Sequence, residues 1–160
     1  MKTASTLLTL LLVWTLVTVG QPIDKSDSLK IMSSVETVFQ TLKTADYNSF
    51  ETISTNKIYC SPCYMSPDFS ATPYTLDRKN FFDNYLKDII QSDYFIRATQ
   101  SHDIILTNDP DYPYYRADII VLFTVYKQDE LASGHEGGQF GLYLKKDNNT
   151  YKFSGLETLP

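Results

Sequence analysis

The sequence predicts an α+β fold, N-terminal helices packed on a curved antiparallel sheet, and three observations predict it. Apolar residues recur at spacings of three and four through residues 26–43 and again through 76–91. After Gln91 the pattern changes to the alternation of strands and stays so. The connections in that second half, NDPDYP, DELASGHEGG and KDNN, carry the residues of turns.

In chain order, the opening MKTASTLLTLLLVWTLVTVGQP has Lys2, then an apolar run from Leu7 to Val19 broken by Thr9, Thr15 and Thr18, then Gly20. Those are the charged, apolar and small-residue regions of a secretory leader, so residues 1–20 read as a signal peptide and residues 21–160 as a single domain. An uncleaved anchor is the competing reading. No Lys/Arg cluster follows the run to stop transfer, and Pro22 would end the helix early. The expected location is extracellular, with no membrane attachment after cleavage.

Of 14 basic residues one lies in the leader and of 19 acidic residues none does, which leaves the domain with a formal charge of −6. A broad basic face for nucleic acid or anionic membrane is therefore excluded. The 12 Tyr and 9 Phe are an excess that suits sheets, pockets and interfaces, because tyrosine covers apolar surface and keeps a polar tip.

SDSLKIMSSVETVFQTLK, residues 26–43, places Leu29, Met32, Val35, Phe39 and Leu42 on one stripe, with Ser26 or Asp27 as cap. Asp46 caps a short second helix bearing Phe50 and Ile53. Pro62, Pro67 and Pro73 limit residues 56–75 to a short strand near Lys57–Cys60 and a loop. LDRKNFFDNYLKDIIQ then pairs Phe81/Phe82, Tyr85/Leu86 and Ile89/Ile90 along a third helix over 77–91. Strands are expected over 94–107, bent or divided near Gln100, and over 114–127, 138–145 and 150–157.

This order of elements, carried by VETVFQTLKTADYNSFETI (residues 35–53) and the closing KKDNNTYKFSGLETL (residues 145–159), resembles the NTF2-like (SnoaL-like, cystatin-like) fold, and small secreted animal members of it, nematode ones especially. The resemblance implies a cone-shaped half-barrel whose open end often holds a pocket, and a sheet face through which two copies can pair as a homodimer. Members include dehydratases, isomerases and proteins without known catalysis, so the fold does not choose a function. Inhibitory cystatins carry Gln-x-Val-x-Gly, which Gly138-Gln139-Phe140-Gly141 lacks.

Cys60-Ser-Pro-Cys63 has the spacing of a redox pair. A reactive thiolate wants a helix N-terminus to lower its pKa, and Pro67 and Pro73 deny this pair such a helix. As the only cysteines of a secreted chain, Cys60 and Cys63 are expected to bond to each other as a local clamp. A metal site is not expected, since only His102 and His135 remain to complete one, and no motif for a cofactor is present.

On the strand after Arg116, Ala117, Ile119, Val121, Phe123 and Val125 share one face, and Asp118, Ile120, Leu122, Thr124 and Tyr126 the other. Were the second face concave, Asp118 with Tyr126 and with Tyr143 or Tyr151 would form an acid/base set beside an apolar cavity. The competing reading makes Arg116 and Asp118 a surface pair. Asn148-Asn149-Thr150 is an N-glycosylation sequon in an expected turn, which makes Asn148 the acceptor in a eukaryotic source. The leading functional reading is a secreted non-catalytic domain that binds a small apolar ligand or a protein partner. The alternative is a cofactor-independent dehydratase or isomerase.

Overall fold

The computed structural model describes residues 23–63, 75–108 and 117–159. The expected leader, Arg116, Pro67 and Pro73 lie outside the described residues, as does the start of the strand expected from 114.

Helix α1, Lys25–Thr44, opens where the Asp24 carboxylate accepts the Asp27 N–H at 2.8 Å, so the cap is Asp24 and not Ser26 or Asp27, two or three residues further on. It closes at Ala45 in the left-handed region (φ 50°), whose N–H reaches the Thr41 and Leu42 carbonyls. The fully buried side of the helix is Ile31, Val35, Val38 and Leu42, at steps of four, three and four. Leu29 corrects the expected stripe: it is 67% exposed, and Ile31, two residues later, is the buried residue of that turn. Helix α2, Tyr47–Ile53, is capped by Asp46, which accepts from Ser49 N–H at 3.0 Å, and buries Phe50 completely.

Strand β1, Ser54–Cys60, and the short β2, Thr75–Asp77, form an antiparallel pair, with a 3-10 turn at Ser61–Cys63 leaving β1. The expected continuous helix over 77–91 is divided. It runs as α3, Arg78–Asn84, and α4, Leu86–Gln91, separated by Tyr85 at φ −125°, ψ −30°. Phe81, Leu86 and Ile89 are buried all the same, so the break turns the second segment without exposing the apolar face.

A second correction falls at 94–107. Residues Asp93–Ala98 are a helix, α5, and only Ile104–Thr107, β3, is strand. Ser92 is the reason: its hydroxyl accepts the Phe95 N–H at 3.3 Å, and Phe95 and Ala98, three apart, bury one face. The β-branched and aromatic residues of DYFIRA suggest a strand only when that cap is overlooked.

Strands β4, Ile119–Tyr126, β5, Gly138–Asp147, and β6, Thr150–Leu159, follow as antiparallel neighbours. Among the described residues the sheet has six strands in the order β2-β1-β6-β5-β4-β3, and all pairings are antiparallel except one. Strand β1 lies parallel to β6, pairing Tyr59 with Gly155 and Cys60 with Leu156, with a register shift after Ser54. Gly155 is required there: a Cβ at this position would stand 2.6 Å from the Tyr59 carbonyl oxygen. The fold class is thus α+β, helices on one face of a curved sheet.

That helix-covered face carries the main core, with Ile119, Val121, Phe123 and Val125 from β4, Phe140, Leu142 and Leu144 from β5, and Phe153 from β6. Phe50 and Phe81 stack 5.8 Å apart over Phe153. The opposite face holds a smaller cluster, Tyr59, Ile120, Leu122 and Tyr143. Among the described residues no helix is long and apolar enough to cross a membrane.

Candidate functional site

Along one edge of its buried row, Val35 included, α1 turns Met32, Val35 and Phe39 toward the segment linking α5 to β3. With Ile104 of β3 and Phe123 of β4 these side chains floor an open groove of about 530 Å³. The size lies within the ~300–1,000 Å³ of ordinary ligand pockets. Its rim is polar: Glu36, Gln40 and Lys43 on the helix, His102 on the link.

The groove is held open by what surrounds it. Phe39 meets Phe95 edge-on at 5.6 Å and tilts onto Phe123 at 5.2 Å, which fixes the floor as an aromatic wall. The far wall is tied to β4, since the Ser101 hydroxyl donates to the Thr124 carbonyl at 2.9 Å and the Thr124 N–H donates to the Asp103 carbonyl at 3.0 Å. Behind it, the Arg97 guanidinium donates to the Val125 carbonyl and to Glu130, and lies 4.3 Å over the Tyr126 ring. The Lys127 N–H and then Arg97 hold the Glu130 carboxyl below its ordinary range. Burial, with Tyr126 alongside, pushes the Tyr94 phenol up.

The residues singled out for acid/base chemistry do not line this groove. Asp118 is exposed at the start of β4, and its carboxylate accepts the Lys146 backbone N–H at 2.7 Å. Tyr126 stands at the other end of β4, where a register shift after Thr124 carries it to the helix-covered face, edge-on to Tyr94 at 5.2 Å. Tyr143 is fully buried on the opposite face, 5.1 Å from the Tyr59 ring. Tyr151 alone comes near Asp118. The two share a second cavity of about 330 Å³ with Asp24, Asp27 and Lys146, and burial first, then those carboxylates, raises the Tyr151 phenol.

Cys60 and Cys63 are bonded to each other, their Cα atoms 5.4 Å apart. Cys60 is fully buried at the end of β1, and the turn between them docks on β6, where the Ser61 hydroxyl accepts the Thr158 N–H at 3.3 Å. His135 shapes the β4–β5 loop, its Nδ1 accepting from Gly137 N–H at 3.0 Å. Gly137 itself has φ 103°, with a Cβ position 2.6 Å from the Tyr126 carbonyl, so the loop closes only with glycine there. Among the described residues no three His, Cys, Asp or Glu side chains are grouped to hold a metal ion. Asn148 sits exposed in the β5–β6 turn at φ 55°.

Met32, Val35 and Phe39 were each legible as inward residues, and Phe123 as one face of its strand whose side was left open, but their meeting point was not. It depends on α5 being helix, which swings Ala98 to His102 across from α1. The hydroxyl of Ser92 was the available signal for that helix.

No known family profile matches the chain, and no curated protein matches it. Among solved structures, one whose title opens Rd1NTF2_05 aligns with 84% of this chain and 99% of its own, at 12% identity and a TM-score of 0.42. At that similarity the likeness carries no argument. The fold class rests on the arrangement of these helices and strands.

Proposed function

We propose that the chain is a secreted, NTF2-like binding domain whose groove between α1 and β3 takes a small apolar ligand. The observation that carries the reading is the groove itself: an apolar floor of ordinary pocket size with a polar rim, on rigid elements. Secretion is supported by the apolar leader and by the Cys60–Cys63 bond, which persists in oxidising surroundings. The dehydratase or isomerase alternative needs an acid and a base facing one cavity; of its residues Asp118 and Tyr151 share one, while Tyr126 and Tyr143 stand elsewhere, so it has less support than the groove. Pairing of two copies through the sheet has less support, because Tyr59, Ile120 and Tyr143 on its open face are already buried within the one chain.

Titration with Nile red, displaced by dodecanol, tests the groove. Saturable one-to-one binding is expected, weakened about tenfold or more in Met32→Glu, which puts a charge on the apolar floor without replacing a residue of the fully buried row. Met32→Glu should remain folded, with a lowered unfolding midpoint because Met32 also packs on the core, and binding is compared well below that midpoint. Equal binding by the two proteins would place the ligand elsewhere and overturn the reading.

A further inference from the structure

The β5–β6 turn is built as a modification site. Asn148-Asn149-Thr150 is the only Asn-x-Ser/Thr triplet in the sequence. Its Asn148 and Asn149 form the two-residue tip of a hairpin whose last pair is Asp147 with Thr150, and all three residues of the triplet are exposed. Asn148 takes φ 55°, the left-handed conformation that a tight hairpin tip needs, so its backbone stands proud of the sheet. Its carboxamide nitrogen meets one side chain, Asp147 Oδ1 at 3.2 Å, itself at the surface. The turn is braced from beneath: Lys30 Nζ donates to Asn149 Oδ1 at 3.0 Å, and the Thr150 hydroxyl donates to the Asp147 carbonyl at 3.0 Å. A transferase meets a presented, preformed loop that need not unfold.

We propose that Asn148 carries an N-linked oligosaccharide, which rests on the reading of the chain as secreted. In the transfer, the Asn148 carboxamide nitrogen attacks the anomeric carbon of a lipid-pyrophosphate-linked oligosaccharide. The N–C bond forms, the C–O bond to the pyrophosphate breaks, the lipid pyrophosphate leaves, and one amide proton passes to a base of the transferase. No electron is exchanged.

The placement separates glycan from groove. Phe123, on the groove floor, pairs with Phe140, and Asn148 is eight residue steps from Phe140 along β5 and the turn. At roughly 3.3 Å per residue the two sites stand about 26 Å apart along the sheet. The sugar therefore shields the Lys146 and Lys152 end of the molecule and leaves the ligand groove open.

The full chain is expressed in a eukaryotic secretory cell in two forms, one with its own first twenty residues and one with these replaced by an established secretory leader. Secreted protein should run as a heavier species that peptide-N-glycosidase collapses to the polypeptide mass, with deamidation confined to position 148. Asn148→Gln and Thr150→Ala should each abolish the shift, while Thr150→Ser keeps it. The leader-replaced form reaching the medium without sugar would overturn the proposal, and so would a shift that survives Asn148→Gln. Retention of the first form in the cell, beside a glycosylated second form, would overturn secretion and leave the acceptor standing.

Discussion

Phe81 has no exposure, and its ring completes a triangle with those of Phe50 and Phe153, so helix, helix and sheet meet on one side chain. Phe81→Ala should cost about 3–5 kcal/mol in denaturant melts, the range for a deleted buried aromatic. A loss under about 1 kcal/mol would mean that the site is effectively at the surface. The cysteines behave differently. Their bond closes a very short loop, so Cys60→Ser with Cys63→Ser should cost about 2 kcal/mol and leave the fold intact. The oxidised protein should fail to catalyse insulin reduction, since Cys60 is fully buried at the end of β1, out of reach of a substrate disulfide. Residues such as Phe81 were legible because helical spacing alone decides their side. Tyr126 was not, because its side depends on a register shift after Thr124, and alternation counted along the strand cannot see an extra residue.

Helix α5 is the element that the sequence concealed and that the groove most needs. Its cap is one hydroxyl, and Ser92→Ala should destabilise the protein by about 1 kcal/mol, read as a lowered denaturation midpoint. The loop behind it is pH-sensitive through Glu130. That carboxyl sits below its ordinary value of 4.5 in the folded chain, held first by the Lys127 N–H and then by Arg97. The stabilisation is therefore complete above the unfolded value and is lost as pH falls through the lower folded one. Amide exchange at Lys127, corrected for intrinsic rates, should accelerate as the acid range is entered, and Glu130→Gln should remove most of that pH dependence. Exchange that stays flat in the parent would show that Glu130 does not hold the loop.

At the scale of the whole molecule, the helices-then-strands layout and the β4-β5-β6 meander were legible because each rests on local pattern and turn residues. The β1–β6 junction was not, since parallel pairing between distant segments leaves no local period. Gly155, a glycine inside an otherwise regular strand, was its one trace. Gly155→Ala should force the two strands apart at Tyr59 and cost about 1–3 kcal/mol, with the loss of protection concentrated in β1 and β2 amides. Protection lost evenly through the sheet would locate the glycine's role elsewhere.

That junction also sets an order of events in time. A ribosome delivers β1 early and β6 last, so until the final strand emerges β1 has β2 on one side and nothing on the other. Its Ile58 and Tyr59, buried in the finished protein, then flank an open strand edge, a template for joining another nascent chain. Chains stalled before Thr150 should accordingly co-sediment with one another, and those extended past Leu159 should not.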